Sequence, residues 1–181
     1  MVGIAALNPP YGSLTAPMPS SPAMSDYRRL WIAGGCYFFT VNLRERASND
    51  LLLRHIDVLR ESVCEVRRSW PFRIDAWVVL PDHLHCLWTL PEGDADFATR
   101  WRLIKAGFAR RLPRTEWRSA SCTRRGERGI WQRRYWEHAI RDDDDFASHM
   151  DYVHFNPVKH GYVTSPADWP YSTFRSRRRV E

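Results

Sequence analysis

Residues 72–90, FRIDAWVVLPDHLHCLWTL, contain two strand-like segments on either side of a turn signal. Segments 72–80 and 83–90 are rich in aromatic and branched apolar residues, a composition typical of β-strands. Pro81 and Asp82, which separate the two segments, favour a turn. The stretch therefore predicts a tight antiparallel hairpin whose second strand begins at His83.

Another strand and a helix are predicted upstream of this hairpin. Segment 36–43, CYFFTVNL, is aromatic and β-branched and indicates a strand. Between that strand and the hairpin, apolar residues recur every three or four positions, which predicts one amphipathic helix. This helix is expected to begin after Asn49 or Asp50 and to end at Pro71. Its apolar stripe comprises Leu52, Ile56, Leu59, Val63, Val66 and Trp70.

The chain downstream of the hairpin predicts a helix, a strand and a final helix. The apolar stripe of the second helix comprises Phe97, Trp101, Ile104, Phe108 and Leu112. Residues 113–128 are polar and arginine-rich and are interpreted as a mobile loop, whereas 130–140 predict the fourth strand. The third helix is expected from Asp142 to about residue 155, because Asp142 can cap it and an acidic run follows. Pro157 and Gly161 are expected to close it.

The predicted order of elements is β-α-β-β-α-β followed by a helix. This order is typical of the split-βαβ, ferredoxin-like plan, in which helices cover one face of an antiparallel sheet. We therefore expect an α+β fold in a single domain spanning residues 26–174, a length that can bury a substantial core.

Both ends of the chain differ in composition from this domain. Residues 1–25 contain no charged residue and hold five of the twelve prolines, which is typical of a flexible tail. One hypothesis is that translation starts at Met24, where ordinary globular composition begins. Residues 175–181 are expected to form a short basic tail.

Composition narrows the class of partner. The chain of 181 residues has a net charge of +6 and nine tryptophans, and all but two of its 27 basic residues are arginines. Arginine and aromatic side chains suit phosphate and base contacts, which favours a nucleic-acid partner, although genome composition explains an arginine excess equally well. No apolar run approaches the ~20 residues of a membrane span, and no secretory signal is present. The four scattered cysteines indicate reduced thiols, so we expect a cytoplasmic protein.

His83 and His85 begin the second strand of the hairpin. Because side chains alternate along a strand, both imidazoles are predicted on one face, with Leu84 and Cys86 on the other. Two imidazoles on one face can hold a divalent metal ion, but this spacing alone more often marks two packed or exposed histidines. A zinc site that includes Cys86 is not expected, because its side chain points away.

A second polar group follows the helical period in the third predicted helix. Asp145, His149, Tyr152 and Asn156 form one stripe, so Tyr152 and Asn156 lie one turn apart on the same face. A phenol can attack a phosphate that is polarised, and a covalent phosphotyrosine results. A tyrosine at this spacing is also common at the edge of a core. Asn156 precedes Pro157 and is expected at a frayed helix end.

Taken together, these segments resemble the HUH-type single-tyrosine transposases, and specifically the REP-associated tyrosine transposases. The likeness covers about residues 26–174 of this chain. It rests on YFFTVNL (37–43), VVLPDHLHCLWTLPEGDADF (78–97), WRLIK (101–105), GIWQRRYWEHAIRDDDDF (129–146) and DYVHFNPVKHGYV (151–163). The motifs PDHLH and YVHFNPVKHG are far more specific than two histidines alone, and they favour the functional interpretation of both groups.

The resemblance implies the HUH endonuclease fold and a transposase-like activity on single-stranded DNA. His83, His85 and Asn156 would bind a divalent cation, Mg²⁺ or Mn²⁺, and Tyr152 would attack the scissile phosphate. Tyr152 would keep the 5′-phosphate and free a 3′-hydroxyl, and a second 3′-hydroxyl would then rejoin the strand.

The resemblance also implies the partners. The substrates would be palindromic repeats folded as hairpins, with a short guide sequence at the foot. No nucleotide cofactor and no membrane partner are expected. A monomer is favoured over a dimer with shared active sites, and the location would be nucleoid-associated.

Several other residues are candidates for supporting roles. Candidates for contacts to DNA phosphates, with a solvated face as the alternative, are Arg100, Arg102, Lys105, Arg133 and Arg134. Rival nucleophiles are Tyr135, Tyr162 and Tyr171. Candidates for ligand, proton-carrying, structural or DNA-contact roles are His138, His149, His154 and His160. Aromatic residues near the site could stack on unpaired bases, and the sequence does not indicate which ones.

Two other functions are compatible with the same residues. The first is a protein that binds repeat hairpins without cutting them. The second is a metal-dependent hydrolytic nuclease that activates water at His83 and His85.

Overall fold

Four antiparallel strands form one sheet in the computed structural model, which describes residues 30–114 and 120–174. The strands are β1 (Cys36–Asn42), β2 (Arg73–Val79), β3 (His83–Thr89) and β4 (Trp136–Ala139). Their order is β2-β3-β1-β4, with β1 paired to both β3 and β4 and β2 paired to β3. This arrangement confirms the predicted ferredoxin-like α+β fold. The predicted tails, 1–25 and 175–181, lie outside the described residues.

The helices within the described residues are α1 (Leu51–Arg54), α2 (Ile56–Ser69), α3 (Phe97–Arg111), α4 (Ala120–Arg124) and α5 (Asp143–Lys159). A 3₁₀ turn follows at Pro166–Asp168. Asp96 caps α3 and Asp142 caps α5, each accepting a hydrogen bond from a backbone N–H three residues ahead. None of these helices is long and apolar enough to cross a membrane.

The two faces of the sheet are covered by different helices. Helices α2 and α3 pack on the face that contains Leu84, Cys86 and Trp88, where Trp88 stacks on Trp101 with ring centroids 4.4 Å apart. Helix α5 covers the opposite face. The two helices within the predicted β-α-β-β-α-β order, α2 and α3, therefore share one face as expected, and the additional helix α5 covers the face for which no cover was predicted. The opposite face also presents apolar side chains at alternate positions, and burying them requires a second cover.

The core that α5 forms with the sheet comprises Phe38, Ala76, Val78, Leu80, Leu87, Met150, Val153 and Trp169. Strand β3 is buried along both faces as a result.

Three predicted segments differ in detail from the structure. The first predicted helix divides at His55 into α1 and α2, and Asn49 Oδ1 accepts a hydrogen bond of 3.0 Å from the N–H of Leu51 before it begins. The fourth strand is shorter than predicted and begins at Trp136. Ahead of it, Trp131 makes an isolated bridge with Leu43, and Lys105 donates to the carbonyls of Gln132 and Arg133. The segment 113–128, predicted as a loop, contains the short helix α4.

Helix α5 continues through Pro157, so Asn156 is not at a frayed end. Pro157 lies in the last turn, where its missing N–H costs only one helical bond. The N–H of Gly161 donates to Val158 O (2.9 Å) and that of Tyr162 to Pro157 O (3.0 Å), which is the Schellman motif. Gly161 has a φ of 72°, which glycine adopts without strain.

Arg100 is fully buried, so both predictions for it, a contact to DNA phosphate and a place on a solvated face, are wrong. Its guanidinium donates to the Asp94 carboxylate (2.6 Å) and to the carbonyls of Pro71 (2.7 Å) and Asp96 (2.8 Å). These bonds join the start of α3 to the end of α2. Arg100 therefore stabilises the packing of the two helices.

We expect Arg100→Ala to lower the free energy of unfolding by about 3 kcal/mol, because it leaves Asp94 and two carbonyls without their donor. Arg102→Ala, an exposed neighbour on the same helix, should change it by less than about 0.5 kcal/mol. Urea unfolding of the two variants measures both values. Equal, small losses would contradict the structural role of Arg100.

Candidate active site

His83 and His85 lie on the sheet face that α5 covers. In the register of β1 and β3, Asn42 lies opposite His83 and Thr40 opposite His85. Leu84 belongs to the core on the other face. The predicted alternation of these side chains is confirmed, and both imidazoles are buried at 5% and 4% exposure.

A hydrogen bond to Asp82 fixes the tautomer of His83. The distance between His83 Nδ1 and Asp82 Oδ1 is 2.7 Å, and Arg46 Nε donates to Asp82 Oδ2 at 2.5 Å. Burial raises the pKa of Asp82, but the hydrogen bonds from His83 and Arg46 outweigh it and lower that pKa. The carboxylate stays ionised and can only accept, so His83 Nδ1 carries the proton and Nε2 keeps a lone pair for a metal.

His85 is held in a similar way by Thr40. Its Nδ1 lies 2.9 Å from the Thr40 hydroxyl oxygen, which can accept from an Nδ1–H and so leave Nε2 as the ligand atom. Burial lowers the pKa of both His83 and His85, so both are neutral near pH 7. Their ring centroids lie 4.9 Å apart with the planes at 86°, an orientation in which in-plane lone pairs can converge.

Tyr152 extends from α5 toward these histidines. Its ring lies 5.2 Å from that of His85 and 5.7 Å from that of Phe38, and Lys159 Nζ lies 5.4 Å from its centroid. Burial raises the pKa of Tyr152, and the neighbouring side-chain amide of Asn156 opposes this without cancelling it. The phenol is therefore protonated at neutral pH, and its reactivity depends on what binds beside it.

Asn156 lies one turn beyond Tyr152 and is only 1% exposed. Its carbonyl oxygen accepts no hydrogen bond from any described residue. A buried carbonyl without a donor is costly unless it has another partner, and a cation is such a partner. His83, His85 and Asn156 thus fit a divalent metal, since imidazole nitrogen and amide oxygen form a set that suits Mn²⁺ and is usable by Mg²⁺.

A second group of metal-type donors lies on the same face. His138, Asp145 and His149 bring donor atoms within 4.8 Å of one another. Asp145 bridges the histidines, with 2.8 Å to His138 Nε2 and 3.0 Å to His149 Nδ1. The two imidazoles stack with ring centroids 4.8 Å apart and planes at 16°. His149 Nδ1 also lies 2.8 Å from the Asp145 carbonyl oxygen, which can only accept, so this nitrogen carries a proton and offers no lone pair to a metal. This geometry suits a hydrogen-bonded triad better than a metal centre.

The triad supports the surroundings of Tyr152. His149 contacts Phe38 with ring centroids 4.9 Å apart, and Phe38 in turn contacts both His85 and Tyr152. The triad therefore anchors the first turns of α5 to β4. Because Phe38 also contacts His85 and Tyr152, this anchoring restrains the packing around the candidate site.

The other candidate tyrosines pack on other aromatic residues. Tyr135 packs on Trp101, on the opposite face of the sheet, with ring centroids 5.9 Å apart. Tyr171 packs on Trp169 at 5.5 Å. Tyr162 is 45% exposed and stacks on Trp169 at 5.2 Å. Of the tyrosines in the described residues, Tyr152 is the one whose ring contacts His85.

The remaining candidates for DNA contacts lie on α3 and in the segment before β4. Arg102 is exposed and Lys105 half-buried on α3, which packs on the face opposite the histidines. Arg133 and Arg134 are exposed and precede β4. Arg133 pairs with Glu127 at 2.9 Å. Their contacts with DNA stay a prediction.

Sequence reasoning missed four residues that complete the site: Asp82, Arg46, Thr40 and Lys159. Asp82 directly precedes His83, and Lys159 continues the stripe of Tyr152 and Asn156 by three residues, so both had a signal. Thr40 and Arg46 depend on how β1 and the chain after it pair with the hairpin. That information is not local in the sequence.

Comparisons with known proteins agree on one family. No protein-family model matches the chain. It is similar to the REP-associated tyrosine transposase of Escherichia coli (strain K12), with 52% identity over 151 residues and 83% of each chain covered. A Haemophilus influenzae protein provisionally named as another such transposase is 46% identical over 160 residues, covering 87% of this chain and 90% of the relative.

A solved structure is similar as well. It is a REP-associated tyrosine transposase bound to a REP hairpin, with a TM-score of 0.72 and 50% sequence identity over 84% of both chains.

We expect Asp82→Asn to weaken Mn²⁺ binding by about 10- to 100-fold, because a neutral amide no longer holds His83 Nδ1–H as strongly. Asp145→Asn should leave this affinity unchanged, since Asp145 belongs to the triad. Calorimetric titration with Mn²⁺ measures both. The reverse pattern would place the metal at His138, Asp145 and His149.

Asp145 should make stability depend on acidic pH. Burial raises the pKa of Asp145, but the hydrogen bonds from His138 and Arg141 lower it by more, and the net result is a pKa of about 2 instead of 3.8. The ionised form therefore stabilises the fold above about pH 4, and this contribution is lost as the pH falls toward 2.

Asp145→Asn should accordingly cost about 2 kcal/mol at pH 7, and its difference from the wild type should shrink below about pH 4. Asp144→Asn, at an exposed neighbouring position, is the matched control and should show a small, nearly constant difference. Thermal unfolding across pH measures this. A pH-independent cost for Asp145→Asn would contradict the charged triad.

Proposed function

This chain belongs to the family of REP-associated tyrosine transposases, and from that premise we propose that it cuts and rejoins single-stranded DNA through Tyr152. The observation that carries this proposal is the contact between Tyr152 and His85, with Asn156 one turn away. A nucleophile, two neutral imidazoles and a buried amide oxygen share one face of the sheet. Such a set can support phosphoryl transfer to a tyrosine.

The proposed reaction is a transesterification. Tyr152 Oη forms a bond to the phosphorus while the bond from phosphorus to the 3′ oxygen breaks. The phenol gives up its proton, and the departing 3′ oxygen takes one up as a hydroxyl. The 5′-phosphotyrosine conserves the bond energy, so a second 3′-hydroxyl can reverse the step and join two strands.

The chain's own residues orient and polarise the reacting groups. A divalent cation held by His83, His85 and Asn156, Mg²⁺ or Mn²⁺, would supply Lewis-acid polarisation of a phosphate oxygen. Asp82 and Thr40 keep the two imidazoles turned into the site. Lys159 places a positive charge near the ring of Tyr152, where it favours the negative charge that develops on the phenolic oxygen.

The proposed substrate is hairpin DNA with an adjoining single strand. This rests on the similar protein that is bound to a REP hairpin, and on the arginine excess of this chain. Arg102, Arg133 and Arg134, with Lys105, would contact the backbone, and such binding should weaken steeply as salt rises. The protein would act as a monomer.

We expect Tyr152→Phe to abolish the covalent protein–DNA adduct, with a loss of more than about 1,000-fold, because phenylalanine has no nucleophilic oxygen. Tyr171→Phe is the matched control and should retain the adduct. The assay is a denaturing gel of protein incubated with a labelled REP hairpin oligonucleotide and Mg²⁺ or Mn²⁺.

Three outcomes would contradict the proposal in different ways. An adduct that persists in the Tyr152→Phe protein would show that Tyr152 is not the nucleophile. Cleavage by the wild type without an adduct would indicate a hydrolytic nuclease that activates water. Tight binding without cleavage under all metal conditions would indicate a hairpin-binding protein.

A further inference from the structure

A cavity of about 470 Å³ opens beside His83. Its walls come from the loop after β1, the turn of the hairpin and the segment that follows α5, and include Arg46, Asn49, His160 and Tyr162. This volume lies within the ~300–1,000 Å³ typical of small-ligand sites. The proposed reaction at Tyr152 uses His83, which Asp82 and Arg46 hold in place, but it gives no role to Asn49, His160 or Tyr162.

One wall of the cavity is aromatic. The rings of His160 and Tyr162 are nearly parallel at 26°, with centroids 6.0 Å apart, and Tyr162 is 45% exposed. Tyr162 also stacks on Trp169, whose indole N–H donates to Val79 O at 2.9 Å. An exposed aromatic ring braced from behind is a ready surface for stacking a flat ligand.

The opposite side presents the guanidinium of Arg46, whose charge is balanced by Asp82 but whose terminal N–H groups can still donate to a phosphate. The Arg46 side chain is 48% exposed and is positioned by its bond to Asp82. The acidic groups that border the cavity are both paired, Asp82 with Arg46 and Asp50 with Arg54 at 2.6 Å. An anion entering here therefore meets a guanidinium and no unpaired carboxylate among the lining residues.

The loop of residues 45–51, which forms one edge of the cavity, is already held in place without a ligand. Asn49 donates to Glu45 O at 2.7 Å and accepts from the N–H of Leu51 at 3.0 Å, which ties the loop to itself. Ser48 has a φ of 51°, a left-handed conformation that a non-glycine residue adopts only when its surroundings enforce it. A loop held in this way keeps the cavity open at little further cost in entropy.

We propose that this cavity captures one unpaired nucleotide of the single-stranded DNA next to the scissile phosphate. Its base stacks on the His160 and Tyr162 rings, and its phosphate lies near Arg46. A flat aromatic group joined to an anion matches an aromatic wall facing a guanidinium, and the position beside His83 adjoins the reacting phosphate. This inference rests on the proposed function and names a subsite of the same reaction.

The test measures binding separately from chemistry. The Tyr152→Phe protein, which cannot form the adduct, is titrated by fluorescence anisotropy with the REP hairpin of the similar complex, extended by a single strand. In a series of probes, each unpaired nucleotide in turn is replaced by an abasic one. The series is repeated with the protein that also carries Tyr162→Leu, which keeps apolar packing on Trp169 but removes the aromatic face.

We expect one abasic position to weaken binding by about 5- to 100-fold when Tyr162 is present. In the Tyr162→Leu protein, the same abasic position should weaken binding by less than about twofold, because the base and the tyrosine ring contribute to affinity through one contact. Phe155→Ala, another exposed aromatic residue but outside the cavity, is the matched control and should preserve the full abasic penalty. Tyr162→Phe should also preserve it.

Equal abasic penalties at every position, with and without the Tyr162 ring, would overturn the inference. Adduct formation by the wild type together with such equal penalties leaves the proposed function intact and rejects only the subsite. Coupling between one base and Tyr162 without any adduct in the wild type supports the subsite and rejects the transesterification. Absence of binding by every probe rejects both.

Discussion

The register between β1 and β3 is the constraint on which the site depends. It places Thr40 opposite His85, so that one hydroxyl orients one imidazole. A slip of one residue would turn both histidines into the aromatic core beneath α2 and α3 and bring Leu84 and Cys86 into the site. Because apolar side chains fill both faces of β3, such a slip would bury two unpaired imidazoles, and the packing of both cores therefore holds the site in place.

Burial gives the site its electrostatic character. The histidines are neutral and the phenol of Tyr152 is protonated, since removal from water disfavours the charged form of each. The fixed charges nearby are Arg46 with Asp82, which cancel, and Lys159, which does not. The resting site is thus mildly positive and contains no exposed anionic nucleophile, an arrangement suited to an anionic substrate.

The sequence predicted the parts whose signals are local. Alternation along β3, the stripes of α2 and α3, the cap at Asp142 and the one-turn spacing of Tyr152 and Asn156 follow from periods of two and 3.6 residues. Arg100 was misplaced because its charge suggested a surface, although it lies three residues after the buried Phe97 on the same face. The face covered by α5 depends on tertiary packing that no single segment encodes.

Three segments that are far apart in the sequence form the cavity beside His83, so no sequence motif predicts it. The loop that contains Ser48, the hairpin turn and the chain after Gly161 meet only once α5 covers its face of the sheet. The Schellman turn at Gly161 directs Tyr162 back toward Trp169 and the hairpin instead of away from the sheet. The end of the helix that carries the proposed nucleophile, Tyr152, therefore also shapes the wall of the cavity. A change at Gly161 would disturb both the helix terminus and that wall, because other residues adopt its φ of 72° only with strain.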